Sequence, residues 1–454
     1  MATIKLDLTK QQGKIKPMHA VGQPPFAGGF RKFNFTPMKH LQNANIPYSR
    51  LHDVGGDFGG NRFVDIGNIF RDFNADENDP ASYSFAFTDH LLEAMADYDL
   101  RPIFRLGETI ENQMTVEAIR INPPKDFAKW ARICEHIIRH YNEGWANGYR
   151  YGIEYWEIWN EPENGNSLDT NMMWTGTYEE FFHLYDVAAK HLKACFGDTI
   201  KVGGYGSSGF GGIFYHPEKF DLCGYPSKEM DGSHDRAMDR VYFLFDFLKY
   251  IKAHGSPIDF FSWHSYYNVE KTLIMDKFLH LTLKEYGYEG LETHLNEWNN
   301  ANGTTYGNAV HGTSFASASV ASMMLAMQDA RTDMLCYYDA QLQASAYGGF
   351  FAPLTYKPVS TYYSFVAFGR LYALGTQVKT EIACEKKGLY AVAATNGRKN
   401  ALMISNQTGA TQPLQIEGAD LSDARIYAID QRRLLSMAFD TSEIENDTVL
   451  LIEW

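Results

Sequence analysis

Short apolar segments that end on polar residues recur along the first three-quarters of the chain. They are IPYSRLHD (46–53), LRPIFRLGE (100–108), YWEIWNE (155–161), IKVGGYG (200–206), PIDFFSWHSYY (257–267), LETHLNEWN (291–299) and DMLCYYDAQ (333–341), with MHAVGQ (18–23) as a weaker first member. Helical periodicity fills the intervals. In 125–142, Phe127, Trp130, Ala131, Cys134, Ile137, Ile138 and Tyr141 recur three or four residues apart. Thr177 and Glu180 give a capping-box signature ahead of TYEEFFHLYDVAAKHL, and RVYFLFDFLKYIKAH runs into Gly255 and Pro257, which stop a helix. Strands alternating with helices are parallel, because only a long crossover returns the chain to the same edge. Eight of them predict a closed (β/α)8 TIM barrel over residues 15–375.

Past Gly375 the pattern changes. LYAVAAT, NALMISN, ARIYAID and TVLLIEW are short and have no long helix between them, which predicts a small antiparallel β-sandwich over 376–454. TIKLDLT, within residues 1–14, is expected to add a strand to it.

Bulk properties exclude several classes of function. A net charge of −14 argues against nucleic-acid or anionic-membrane surfaces, which need clustered Lys and Arg. No apolar run reaches the length of a membrane span. MATIKLDLTKQQGKIKP lacks the apolar core of a signal peptide, so the expectation is a cytoplasmic protein or a chain trimmed of its leader. The five cysteines (134, 195, 223, 336, 384) are scattered and odd in number, as reduced thiols would be. In DFNADENDP (72–80), Asp72, Asn74 and Asp76 alternate as in a calcium loop. Glu77 and Tyr83 stand where that loop needs Gly and Glu, so a solvated turn is expected. VGGYGSSGFGG has neither the order of a dinucleotide fingerprint nor a P-loop lysine. No metal and no cofactor is expected, and a homo-oligomer is left open.

In such a barrel the chemistry sits at the C-terminal strand ends. Those ends carry Arg50, His52 and Asp53 (second strand), Glu108 (third), Asn160 and Glu161 (fourth), His264 and Tyr266 (sixth), Glu297 and Trp298 (seventh), and Tyr338 and Asp339 (eighth). Acetal cleavage needs one carboxyl that holds a proton for the leaving oxygen and a second that stays ionised. Glu161 follows Trp156 and Trp159, an apolar setting that would favour the protonated form, whereas Glu297 has Arg50 and Tyr266 within reach of converging strands. His52, His264, Arg50, Tyr266, Trp298, Tyr338, Asp339 and Glu108 are candidate sugar contacts. Each has a packed or ion-paired core role as its alternative.

Trp159-Asn160-Glu161-Pro162, with Glu297-Trp298 seven segments in, resembles the retaining glycoside hydrolases of clan A, and most closely family 39, which holds β-xylosidases and α-L-iduronidases. RLHD, DFFSWHSYY, LNEWN and KPVSTYYSFVAFGRLYALG extend the resemblance over most of the barrel. It implies Glu161 as acid/base, Glu297 as nucleophile, Asn160 at the sugar 2-hydroxyl, and His52, His264 and Tyr266 around the ring. Glu154, Trp156 and Glu163 depart from the family's Trp-x-Phe-Glu-x-Trp-Asn-Glu-Pro-Asp/Asn signature, which marks a divergent member. The implied activity is an exo-acting, β-xylosidase-like retaining glycosidase. An endo-glycanase, another exo-glycosidase (arabinosidase, glucosidase, galactosidase, iduronidase) and a catalytically silent carbohydrate-binding protein remain the alternatives.

Overall fold

A computed structural model describes residues 1–28, 33–55, 63–110, 121–165, 171–220, 234–299, 309–342, 347–438 and 440–454. Eight parallel strands close a barrel in chain order: β2 (Ala20–Gly22), β3 (Tyr48–Leu51), β4 (Arg101–Leu106), β5 (Tyr155–Ile158), β6 (Lys201–Ser207), β7 (Phe260–Ser265), β8 (Glu292–Trp298) and β9 (Met334–Tyr337). The weakest expected strand is the shortest. Three-residue β2 pairs with both β3 and β9 and closes the ring.

Strand alternation sorts the barrel interior into layers. The floor is apolar: Ala20, Tyr48, Ile103, Tyr155, Phe260, Met334 and Cys336 form one buried cluster. Two residues further along the same strands come Arg50, Arg105, Glu157 and Ser262, all buried and polar. Two more bring His52 and His264 to the barrel mouth. The opposite parity, including Leu51, Phe104, Trp156, Ile158, Phe261 and Leu295, belongs to the outer core against the helices.

The helices start where local chemistry provides caps. Thr177 and Glu180 close a capping box on helix Tyr178–Phe196, and Asp126 caps helix Phe127–Asn142 through the Lys129 N–H. Asp72, Asp76 and Asp79 each accept the backbone N–H two residues on, so 72–81 is a string of polar turns.

The remaining strands are β1 (Ala2–Lys14), β10 (Thr376–Ala383), β11 (Leu389–Thr395), β12 (Asn400–Asn406), β13 (Gln412–Glu417), β14 (Arg425–Ile429), β15 (Leu434–Ala438), β16 (Glu443–Ile444) and β17 (Thr448–Glu453). They form one curled nine-stranded sheet ordered β15-β14-β17-β12-β11-β10-β1-β13-β16. The expected all-antiparallel pairing has an exception, since β1 runs parallel to β13. Strand β1 arrives from the far end of the chain, so no hairpin dictates its direction. Leu402, Ile404, Leu450 and Ile452 pack inside the sheet with Ile4 and Leu6, while Met403, Val449 and Leu451 join the barrel's outer core. Helices Ser314–Gln328 and Ser360–Leu374 lie against this second face, and the Ser405 hydroxyl donates to the Ala318 carbonyl.

Cys134, Cys195, Cys336 and Cys384 are free thiols; Cys223 lies outside the described residues. Among the described residues no helix is long and apolar enough to cross a membrane.

Candidate active site

Arg50 is the hub of the barrel mouth. Its Nε donates to Glu157 (2.7 Å), Nη1 to Glu297 (3.0 Å) and Nη2 to the Asn160 side-chain oxygen (2.5 Å). Burial works against its charge, but Glu157 and Glu297 more than offset this and hold the guanidinium above its ordinary range. Glu157 in turn accepts from Ser262 and Asn296, each at 2.6 Å. Burial pushes its carboxyl up, the Arg50 charge and these donors pull it down, and the net shift is downward. The pair is buried but fully hydrogen-bonded, which is the condition for keeping two charges away from water.

Two backbone irregularities aim the carboxylates. On β5, Tyr155 and Glu157 face inward, and regular alternation would send Trp159 inward as well. Instead Trp159 has φ 68°, and its ring packs outward against Trp130 and Trp174. Asn160 and Glu161 then both face the mouth, with Glu161 at φ 44° and its N–H donating to the carbonyls of Tyr205 and Gly206. On β8 the register against β7 shifts so that His264 lies opposite Glu297 rather than Asn296. Leu295 sits in the outer core, so without the extra residue Glu297 would share its outward parity.

The two glutamates have different partners. His264 Nδ1 lies 2.7 Å from Glu161 Oε1, and the Asn164 amide donates to Oε2 at 2.5 Å. Arg240 steadies Asn164 with a 3.0 Å bond. Burial raises the Glu161 carboxyl above its ordinary range against the pull of Arg240, Asn164 and Arg50. His264 is pushed down to about 4, chiefly by burial, and is a neutral imidazole at neutral pH. Glu297 accepts from the Tyr266 hydroxyl on Oε1 and from Arg50 on Oε2. Burial raises it too and a charged Glu161 would add to this, while Arg50 and Tyr266 favour its charge. One oxygen from each glutamate and a ring nitrogen of His264 all lie within 4.8 Å of one another. Such a trio has the donor set of a metal site, but Arg50 and Tyr266 already hold the Glu297 oxygens and the guanidinium opposes a second cation.

Around this centre, Tyr266, Tyr338 and Tyr347 form an aromatic group with centroids 5.0 to 6.3 Å apart. The Tyr338 hydroxyl donates to Asp53, and Asp339 is held by the Gln341 backbone and side-chain N–H groups. Asp53 and Asp339 are each pushed up to about 7, by burial first. His52 is held well below its usual range by burial and then by the charge of Arg105. The Asn160 amide nitrogen, the His264 Nε2 and both His52 ring nitrogens are buried donors or acceptors without a hydrogen bond among the described residues.

Arg50, His52, Asn160, Glu161, His264, Tyr266, Glu297, Tyr338 and Asp339 thus converge on the mouth. Two expected features are placed elsewhere. Trp298 is fully buried against Tyr337, 5.2 Å away, and presents no face to a sugar. It follows the β8 irregularity, which turns Glu297 to the mouth and its neighbour into the wall. Glu108 accepts from the Gly67 N–H and anchors the segment after β3. The burial of Glu161 also does not come from a tryptophan wall, because Trp156 packs outward on Phe104 as Trp159 does on Trp130. Sequence reasoning missed Glu157, Asn164 and Arg240. Only Glu157 left a signal, a charged residue at inward parity in an apolar strand.

Residues 4–344 match the sequence model of the glycosyl hydrolases family 39. The chain belongs to that family. A β-xylosidase from Geobacillus stearothermophilus is 27% identical over 240 residues, covering 50% of this chain and 38% of the relative. A β-xylosidase from Caldicellulosiruptor saccharolyticus is 24% identical over 370 residues, covering 74% of this chain and 66% of the relative. The chain thus spans less than two-thirds of the length of either relative. A glucosidase from Croceicoccus marinus has the same fold, with a TM-score of 0.73 at 18% identity over 100% of this chain and 98% of its own.

Proposed function

We propose that the chain is a retaining, exo-acting, β-xylosidase-like glycosidase. The observation that carries the reading is the glutamate pair at the barrel mouth, with one oxygen of Glu161 and one of Glu297 within 4.8 Å. Double displacement uses carboxyl groups about 5–5.5 Å apart, whereas inversion leaves room for a water at roughly 6.5–9.5 Å.

The partners divide the work. Glu297, between a guanidinium and a phenol, gives up its proton first and attacks the anomeric carbon. Glu161 sees a neutral imidazole and an amide, keeps its proton in the buried turn, and passes it to the departing oxygen. Once the leaving group departs, the Glu161 carboxylate takes a proton from the water that hydrolyses the glycosyl-enzyme. The Asn160 amide nitrogen, fixed through its oxygen by Arg50, is the donor positioned for the hydroxyl beside the reacting carbon. A silent carbohydrate-binding role leaves this preorganised pair without a purpose.

With Glu161→Ala and an activated aryl xyloside, azide should restore turnover and give a product of retained configuration, read by NMR of the anomeric proton. Glu297→Ala should lose activity by several orders of magnitude and not recover by that route. An inverted product, or full activity in both variants, rejects the assignment. The Croceicoccus glucosidase makes an aryl glucoside the second substrate to compare.

A further inference from the structure

A second cluster of ligating side chains lies on the outer helical layer, away from the barrel mouth. His191 and Cys195 sit one turn apart on helix Tyr178–Phe196, on one face, and Glu135 meets them from helix Phe127–Asn142. His191 Nε2 lies 2.6 Å from Glu135 Oε2 and 3.8 Å from Cys195 Sγ, and one atom from each residue falls within 4.8 Å of the others. We propose that Glu135, His191 and Cys195 form a binding site for Zn2+ or a similar borderline-soft divalent ion, which staples together the helices before and after β5.

The donor set of one imidazole, one thiol and one carboxylate is that of zinc rather than calcium or magnesium, which take oxygen ligands. The geometry is close to that of an occupied site. Zinc bonds of about 2.0 to 2.3 Å in a tetrahedron place nitrogen and sulfur about 3.6 Å apart, and nitrogen and oxygen about 3.3 Å apart. The nitrogen–sulfur distance already fits. The carboxylate needs to retreat by about 0.7 Å, exchanging a hydrogen bond for a bond to the ion. Glu135 is oriented for this, since its other oxygen accepts from Arg139 Nε at 2.8 Å, the outer support that metal-binding carboxylates use. The Arg139 charge, which opposes the ion, is shared with Glu143. The His191 and Glu135 side chains are 30% and 14% exposed, so an ion can enter and a water can take the fourth position.

The competing arrangement is a plain His191–Glu135 ion pair with Cys195 as a bystander. The sulfur separates the two, because an ion pair has no use for it. The Cys195 thiol gives up its proton to solvent as the sulfur–metal bond forms. The site touches no residue of the barrel mouth, and its effect is on stability rather than on turnover.

The test uses the full chain. Titration with Co2+ should give one ion per chain and a near-ultraviolet thiolate-to-metal charge-transfer band, and Zn2+ should displace the cobalt and raise the melting temperature. Cys195→Ser should abolish the band and weaken binding at least tenfold, with aryl xyloside turnover and the metal-free melting temperature retained. Glu135→Gln should weaken binding with the band intact. No binding by the wild-type chain, or a band that survives in Cys195→Ser, overturns the proposal.

Discussion

Glu157 and Glu163 flank the candidate acid on the same short stretch and are buried for opposite purposes. Glu157 is ionised, and its charge holds Arg50 between Glu297 and Asn160. Glu163 has one oxygen engaged by the Ser207 hydroxyl and the Ser208 N–H and hydroxyl, while the other finds no partner among the described residues. Burial, and then the Glu161 charge, pushes Glu163 up to about 7 from an ordinary 4.5. Such a group binds its proton more tightly folded than unfolded. Stability is therefore full below pH 4.5 and is lost as pH rises to about 7, by up to about 3 kcal/mol for this carboxyl alone. Asp53 and Asp339 act in the same window. Glu163→Gln should accordingly shrink the fall in melting temperature between pH 5 and pH 8. It should also draw the alkaline limb of the pH–rate profile to lower pH, because an ionised Glu163 helps Glu161 keep its proton. Melting curves and rate profiles superimposable on wild type would remove Glu163 from the account.

At the level of elements, strand ends rather than strand bodies shape the site. Trp159 and Glu161 at positive φ are conformations that cost about 1–3 kcal/mol each and persist because packing holds them. Gly206, the penultimate residue of β6 at φ 61°, comes close to the site. A Cβ there would stand 2.9 Å from Arg50 Nη2, 3.1 Å from Asn160 Oδ1 and 3.3 Å from His264 Nε2. Gly206→Ala should lower kcat/KM by about a hundredfold, as a displacement of about 1 Å does to aligned groups. Gly197→Ala is the matched control, since φ there is 54° with nothing within 4 Å of the added carbon. It carries the conformational cost without the collision. Steady-state kinetics showing equal losses in the two variants would assign the effect to backbone strain alone.

At the scale of the whole molecule, residues early in the sequence complete a sheet built from much later ones. Strand β1 lies inside the nine-stranded sheet, between β10 and β13, and Ile4 is fully buried there with Leu402 and Ile452. The sheet's second face covers helices Ser314–Gln328 and Ser360–Leu374, which follow β8 and β9, so sheet and barrel share one apolar core. Ile4→Ala should cost about 2–5 kcal/mol, the usual penalty for a cavity at such a position. Hydrogen exchange should show the loss first in β10–β17, hundreds of residues away in sequence. Exchange that speeds up only in β1 itself would mean that the strand is an appendage rather than part of the core.

The sequence alone determined the barrel, because a strand buried on both faces must be apolar and must stop where polar groups begin. Those stops marked Arg50, Asn160, Glu161, His264, Tyr266 and Glu297, since barrel closure brings all strand ends to one mouth. Side-chain direction was left to the tertiary structure. Trp298 and Glu297 are adjacent letters, and one irregularity in β8 decides which of them faces the cleft. Asn164 and Arg240 lie in a turn and on a distant helix, and only packing brings them to Glu161. The parallel pairing of β1 with β13 and the meeting of Glu135 with His191 and Cys195 were invisible for the same reason. Periodicity reports which face of an element is buried, whereas the identity of the neighbour across the contact depends on how the elements are assembled.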